Sequence, residues 1–195
     1  GRAYIFYGGS SMDNAADVTM TGETSGDSYG NSVACAGDVN GDGYSDVIAG
    51  APYYNSFAGR AYIYFGNVSI DNTADVIITG ETDNAIFGVS VKSAGDINGD
   101  GYSDVIVGAH NDNSYSGRAY VFFGSININN NIDIAMSGEA AGNSFGYSAS
   151  SAGDVNGDGY SDIITGAYGY STSAGRAYIY TGSAIGINPV LNYVK

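Results

Sequence analysis

A nine-residue acidic segment occurs three times in this chain of 195 residues. The copies read Asp38-Val-Asn-Gly-Asp-Gly-Tyr-Ser-Asp46, Asp96-Ile-Asn-Gly-Asp-Gly-Tyr-Ser-Asp104 and Asp154-Val-Asn-Gly-Asp-Gly-Tyr-Ser-Asp162. Their start positions, 38, 96 and 154, are separated by 58 residues each time. Side-chain oxygens at positions one, three, five and nine, with a glycine at position six that permits a sharp turn, suit a hard cation. The spacing therefore predicts three Ca²⁺ sites.

The residues around the segment separate calcium from its alternatives. An EF-hand carries a bidentate Glu at position twelve, but that position holds Ala49, Val107 and Thr165 here. Mg²⁺ is less suited, because it requires octahedral geometry and keeps several of its waters. The other alternative is a metal-free turn in which Asp and Asn side chains bond their own backbone. Three copies of one ligand pattern favour the metal.

The same period organises the rest of the chain. Gly-Arg-Ala-Tyr begins at positions 1, 59, 117 and 175, and aromatic-glycine pairs stand at Tyr29-Gly30, Phe87-Gly88 and Phe145-Gly146. Units of this size rarely bury their apolar face alone and stack on their neighbours. The chain is therefore predicted to be a repeat array.

Each unit has the composition of short strands. Its apolar runs are rich in Val, Ile, Tyr and Phe and are bounded by Gly, Asn, Asp and Ser. In the middle unit we predict strands over 90–94, 104–109, 118–124 and 133–137, and four short antiparallel strands describe a propeller blade. The predicted fold is all-β, with about three and a half blades in residues 1–195. The half-blade covers 1–23, and the blades cover about 24–81, 82–139 and 140–195, with a last strand over 188–194.

Three elements together resemble a known repeat. The aromatic-glycine pair, the loop Asp-x-Asn-x-Asp-Gly-x-x-Asp and Gly50-Ala51-Pro52 after the next strand resemble the FG-GAP repeat of integrin α-subunit propellers. The later units depart from it, since His110 and Tyr168 replace the proline. The resemblance implies a seven-bladed propeller that recognises ligands on the face opposite the metal loops. Because the chain is too short for seven blades, we expect a piece of a longer array. A partial propeller that self-associates through open blade edges is the second possibility.

The resemblance also assigns the calcium ligands residue by residue. In each loop it implies side-chain oxygens from three Asp and one Asn, and the backbone carbonyl of the Tyr. The implied ligands are Asp38, Asn40, Asp42, Tyr44, Asp46, Asp96, Asn98, Asp100, Tyr102, Asp104, Asp154, Asn156, Asp158, Tyr160 and Asp162. The net charge of −14 is concentrated in these loops, so bound Ca²⁺ is expected to stabilise the fold.

The opposite face is expected to carry the connections between strands 2 and 3 and between successive units. These connections differ from unit to unit, and loops on a rigid frame commonly bind ligands. The candidate ligand contacts are Tyr53, Tyr54, Phe57, Tyr115, Tyr168 and Tyr170. The expected partner is a protein or a glycan.

The remaining chemistry is sparse. Arg2, Arg60, Arg118 and Arg176 recur in register and are expected to pair with a repeated acid, either Asp17, Asp75 and Asp133 or Glu23, Glu81 and Glu139. Cys35 is expected to be a small buried side chain. With six basic residues, nucleic acid is an unsuitable partner. No nucleophile motif is present, so we predict that the chain is not an enzyme.

These observations favour a calcium-stabilised binding module of a secreted or cell-surface protein, used in adhesion or protein recognition. No apolar segment is long enough to span a bilayer. The alternatives are a carbohydrate-binding, lectin-like propeller and the accessory propeller of a surface enzyme.

Overall fold

A computed structural model describes residues 1–10, 13–187 and 192–194. The first two strands are β1 (Arg2–Ile5) and β2 (Val18–Thr21). Blade 1 comprises β3 (Ser32–Gly37), β4 (Asp46–Ala51), β5 (Arg60–Tyr64) and β6 (Val76–Thr79). Blade 2 comprises β7 (Ser90–Gly95), β8 (Asp104–Ala109), β9 (Arg118–Phe122) and β10 (Ile134–Ser137). Blade 3 comprises β11 (Phe145–Gly153), β12 (Asp162–Ala167), β13 (Arg176–Tyr180) and β16 (Asn192–Val194).

The smaller elements lie between these strands. Three four-residue helical turns connect strands 2 and 3 of the blades: α1 (Tyr54–Phe57), α2 (Asp112–Tyr115) and α3 (Tyr170–Ser173). A two-stranded hairpin, β14 (Gly182–Ser183) with β15 (Gly186–Ile187), follows β13. The sequence predicted neither the hairpin nor the turns. Within the described ranges, no helix has the length and apolar character needed to cross a membrane.

The sheets confirm the prediction of an all-β chain built from blades. Blades 1, 2 and 3 are antiparallel sheets in which each strand pairs with the next, and β1 pairs with β2 as a half-blade. The four predicted strands of the middle unit correspond to β7, β8, β9 and β10. The last strand was predicted over 188–194. Positions 188–191 lie outside the described residues, and Asn192–Val194 pairs with β13.

The hydrophobic cores lie between neighbouring sheets. The aromatic residue of each aromatic-glycine pair occupies such an interface: Phe87 packs on Tyr120 at 5.6 Å between ring centroids, and Phe145 packs on Tyr178 at 5.2 Å. The core between blades 1 and 2 also contains Ile48, which is fully buried. Because each core is shared by two blades, a single unit cannot bury its apolar surface alone.

The turns between strands 2 and 3 are left-handed. Asn55, Ser56 and Phe57 have φ values of 45°, 55° and 63°, and the later units repeat this conformation. Non-glycine residues lose roughly 1–2 kcal/mol each in this region, so surrounding contacts must hold the turn. The Ile86 amide donates to the Phe57 carbonyl at 2.8 Å, which joins this turn to the connection between blades 1 and 2. Both kinds of connection therefore share one face.

Alanine substitution at two glycines of the same backbone conformation distinguishes the cost of backbone strain from the cost of close packing. Gly117 and Gly142 have φ values of 80° and 81°. A methyl group on Gly117 would run into the backbone of Phe145, whereas one on Gly142 would meet nothing within 4 Å. We expect Gly142→Ala to cost about 1 kcal/mol of unfolding free energy. For Gly117→Ala the expected cost is about 3 kcal/mol, because overpacking adds to the strain.

The measurement is the urea midpoint of each variant. Equal midpoints for the two variants would contradict the close packing described between blades 2 and 3.

Candidate cation-binding loops and the opposite face

The three acidic loops fold identically. In the first, Asp38 Oδ1 accepts hydrogen bonds from the amides of Gly41 at 2.7 Å and Asp42 at 3.1 Å, and Oδ2 accepts from Gly43 at 2.8 Å. The Asp42 amide also donates to Asn40 Oδ1 at 3.0 Å. The same bonds recur around Asp96 and Asp154. The side chains at positions one, three and five are thus brought into one loop by its own backbone amides.

The carboxylate at position nine is buried and connects two turns. Asp46 accepts from the Val39 amide within its loop and from the Gly66 amide of the turn after strand 3, both at 2.7 Å. Asp104 accepts in the same way from Ile97 and Gly124, both at 2.9 Å. Asp162 repeats the arrangement in blade 3. Since all three Asp side chains are fully buried, each fixes one corner of its blade from inside.

Burial and neighbouring charge make these carboxylates unusual acids. The pKa of Asp104 is raised to about 7, mainly by burial and also by the nearby Asp100 and Asp96, while the two amide hydrogen bonds act to lower it. Burial and neighbouring carboxylates raise the pKa of Asp46 as well. In contrast, the amide of Gly159 and further backbone amides hold the pKa of Asp154 below its usual range. Burial and neighbouring carboxylates thus disfavour the charged form of Asp46 and Asp104, whereas backbone amides favour the charged form of Asp154.

The loops retain capacity for a cation. Each carboxylate oxygen of Asp42 accepts one described hydrogen bond, Oδ1 from the Tyr44 amide at 2.9 Å and Oδ2 from Asn40 Nδ2 at 3.0 Å. A carboxylate has about four acceptor sites, so about two remain. The donor set of carboxylate and amide oxygens suits Ca²⁺ by its chemistry. However, among the described residues no group of three or more His, Cys, Asp or Glu side chains is arranged to hold a metal ion. The hydrogen bonds alone form Asx turns, as the metal-free alternative expects.

The loops also join neighbouring blades. The Ser103 amide donates to the Asp38 carbonyl at 2.9 Å, and the Ser125 amide donates to the Val39 carbonyl at 2.9 Å. The Tyr102 ring lies against Gly41 of the preceding loop. Blades 2 and 3 are joined in the same way through Ser161 and Ser183. Sequence reasoning missed this packing role of the tyrosine and serine, although their identity in all three copies was a visible signal.

The opposite face divides the six candidate aromatic residues into two groups. Four are exposed on this face: Tyr53, Phe57, Tyr115 and Tyr168. The other two are engaged by the scaffold, because the guanidinium groups of Arg60 and Arg176 lie 3.6 Å from the ring centroids of Tyr54 and Tyr170. The structure also places Tyr147 beside Tyr168, at 4.9 Å between ring centroids.

The repeated arginines follow the expectation in two blades out of three. Arg60 pairs with Glu23 at 2.9 Å and Arg176 pairs with Glu139 at 2.8 Å. In blade 2, Arg118 instead lies 3.4 Å from Asp112. The alternative acids have another role, since Asp75 accepts a hydrogen bond from the Phe65 amide at 2.7 Å. Asp17 accepts from the Tyr7 amide at 2.6 Å, and Asp133 from the Phe123 amide at 2.7 Å.

The expectation for Cys35 is wrong. The side chain is exposed, because it lies on the outward face of β3, where exposure alternates along the strand. Its neighbour Ala36 points inward and is fully buried.

The face-packed antiparallel sheets, with an acidic loop between the first two strands of each blade, define a β-propeller type of repeat protein. The FG-GAP repeat matches the chain over residues 29–64, 87–122 and 145–180, which is more than half of its length. The chain therefore belongs to the FG-GAP repeat family, as its motifs predicted. No curated protein matches it.

Removing the buried carboxylate of one loop tests its role in the fold. Asp104→Ala leaves the amides of Ile97 and Gly124 without their acceptor, and each unsatisfied buried group costs about 1–3 kcal/mol. We expect a loss of about 2–5 kcal/mol of unfolding free energy, measured by urea denaturation in EDTA. The matched control is Asp83→Ala, at an exposed position, with a change under about 0.5 kcal/mol. Equal effects would contradict the assignment of Asp104 as the corner of blade 2.

Proposed function

We propose that this chain is a calcium-stabilised propeller module of a secreted or cell-surface protein, which recognises a protein partner through the loops opposite the acidic loops. The observation that carries the proposal is the threefold recurrence of one loop, in which the same amide hydrogen bonds hold the Asp side chains at positions one and five and the Asn side chain at position three. Membership of the FG-GAP family supports a role in protein recognition.

The negative charge of the loops favours a bound cation. Each loop carries three Asp side chains, one of them fully buried, and no described salt bridge reaches a loop carboxylate. A bound divalent cation would offset the repulsion between these carboxylates, and the remaining acceptor sites on Asp42 and its equivalents are suitable ligands. Binding to the folded loop would then stabilise the folded chain by mass action.

The opposite face has the features of a recognition surface. Its aromatic side chains are exposed, while the glycines and serines of the acidic loops hold the blades on the other side. The left-handed turns store backbone strain, which commonly occurs where a loop serves binding. Tyr53 and Phe57 contact each other edge to face at 5.2 Å, forming an exposed aromatic pair on blade 1.

Chelation tests the calcium proposal. At a free Ca²⁺ concentration of about one hundred times Kd, each site contributes about 2.7 kcal/mol. For a domain of this size that corresponds to roughly 5–10 °C in Tm per site. We expect Tm, measured by differential scanning calorimetry, to fall by at least this amount in EDTA and to recover with Ca²⁺ but less with Mg²⁺.

The matched variant for this test is the triple substitution Asp42→Ala, Asp100→Ala and Asp158→Ala. These side chains are exposed and bond only within their loops, so blade packing is preserved. The variant should fold and show no response to Ca²⁺. A wild-type Tm that is unchanged by EDTA would contradict a structural role for the metal.

The recognition surface is tested by Tyr53→Ser with Phe57→Ser. Exposed aromatic residues contribute strongly to protein interfaces, so we expect at least a tenfold loss of affinity for partners selected from a displayed library of extracellular proteins. Calorimetry should show an unchanged Tm. The control is Tyr44→Ser, an exposed tyrosine on the acidic-loop face, which should bind like wild type. Equal losses for both variants would contradict the choice of face.

A further inference from the structure

Blade 2 differs from its neighbours at one point on the loop face. In blades 1 and 3 a tyrosine ring, Tyr54 or Tyr170, stacks on the repeated arginine. In blade 2 the equivalent residue is Asp112, 58 positions from each tyrosine. The smaller side chain leaves an open cavity of about 520 Å³ between residues 82–84 and 111–115, with Arg118 at its base.

The polar lining of this cavity is specific to blade 2. Four of its residues carry a carboxylate or an amide where the units on either side have none. They are Asp83 against Ser25 and Ala141, Asn84 against Gly26 and Gly142, Asn111 against Tyr53 and Gly169, and Asp112 against Tyr54 and Tyr170. The scaffold does not require these groups, because two blades of the same fold lack them.

The base of the cavity is rigid. Asp112 is 4% exposed and accepts hydrogen bonds from the Tyr120 hydroxyl at 2.8 Å and from the Thr82 hydroxyl at 3.2 Å. The guanidinium of Arg118 lies 3.4 Å from the same carboxylate. Asn111, also in the lining, has a buried Oδ1 with no hydrogen-bond partner. One acceptor within the cavity wall is therefore unsatisfied.

The rim supplies an apolar surface. Tyr115 is 54% exposed and lines the cavity at the end of the left-handed turn. A planar ring beside carboxylate, amide and hydroxyl groups fits a ligand with one apolar face and several hydroxyls. The volume falls within the range of roughly 300–1,000 Å³ typical of small-ligand sites.

We propose that this cavity binds a neutral saccharide, which stacks one face on Tyr115 and hydrogen-bonds through its hydroxyls to Asp83, Asn84 and Asn111. The proposal goes beyond protein recognition and depends on neither calcium nor a protein partner. It assigns a small-ligand site to blade 2 alone.

Energetics favour a saccharide over an aromatic side chain from a peptide. A ring placed over Arg118, as in blades 1 and 3, gains a cation–π attraction from the guanidinium. The same ring would remove water from several amide and carboxylate groups of the lining without pairing them, and the cost of these unpaired groups exceeds that attraction. Hydroxyls satisfy these groups, so the saccharide is preferred.

Charge favours a neutral ligand. The two carboxylates of Asp83 and Asp112 exceed the single positive charge of Arg118, and Glu81 adjoins the cavity in sequence. An anionic sugar would meet this excess as repulsion. A metal cation is disfavoured because Asp112 already bonds Arg118, Tyr120 and Thr82.

The first experiment titrates the full chain with defined probes by saturation-transfer NMR and calorimetry. The probes are the methyl glycosides of glucose, galactose, mannose, fucose and N-acetylglucosamine, with the methyl glycoside of sialic acid and a tyrosine-containing peptide for comparison. We expect at least one neutral glycoside to bind with Kd below about 10 mM, and sialic acid to bind at least tenfold more weakly. Binding of the peptide alone, or of no glycoside, would overturn the proposal.

The second experiment replaces cavity residues by those found at the equivalent positions of the other units. Asp112→Tyr copies blades 1 and 3, and the pair Asp83→Ala with Asn84→Gly copies Ala141 and Gly142. Each is expected to weaken glycoside binding at least tenfold while the pair keeps the wild-type Tm. Tyr170→Phe, which keeps its ring under Arg176, is the control and should bind normally.

The variants also locate the site. Wild-type affinity in both cavity variants would place the saccharide elsewhere and overturn the proposal. If Asp112→Tyr loses glycoside binding and also has a lower Tm, the double variant Asp83→Ala with Asn84→Gly decides between a lost site and a damaged fold. Its small residues already occur at the equivalent positions before blade 3. The calcium test reads Tm without any sugar, so either proposal can fail alone.

Discussion

The buried carboxylate at the ninth position of each acidic loop is the interaction on which the rest of the array depends. It accepts one hydrogen bond from an amide of its own loop and one from an amide of the turn after strand 3, as Asp46 does from Val39 and Gly66, so a single side chain joins both turns at one corner of a four-stranded sheet. That corner then presents the Asp38 and Val39 carbonyls to amides of the next blade. Blade geometry and the contact between blades therefore meet at one buried residue per unit.

The same dependence separates the two faces. On the acidic-loop side, small and aromatic residues are fixed by contact between blades, as with Gly41 under Tyr102. On the other side, main-chain hydrogen bonds hold the turns, and most of the side chains there differ from unit to unit. Asp112 shows the result, since it stands where blades 1 and 3 have Tyr54 and Tyr170, and blade 2 still forms the same four-stranded sheet.

Much of this architecture could be predicted from the sequence, because a repeat multiplies every local signal. The strands of blade 2 and the position of Phe87 follow from periodicity and composition. The left-handed turns could not be predicted, since Asn55, Ser56 and Phe57 adopt a conformation held by bonds to a distant loop. The exposure of Cys35 could not be predicted, because small residues, such as Ser93 and Ser151 at the equivalent positions, occur on both buried and exposed faces of strands. The choice of Asp112 over Glu81 by Arg118 depends on side-chain packing that a repeat pattern does not encode.

The main-chain bonds between acidic loops all run in one direction. In each described pair, the amide of the later unit donates to the carbonyl of the earlier one, as Ser103 does to Asp38 and Ser161 does to Asp96. The array is therefore polar, like a filament with a distinct leading and trailing end. A disturbance of one loop removes the acceptor for the unit that follows, while the unit before it keeps its own acceptor. A structural change in one acidic loop should thus affect the unit on its C-terminal side differently from the unit on its N-terminal side.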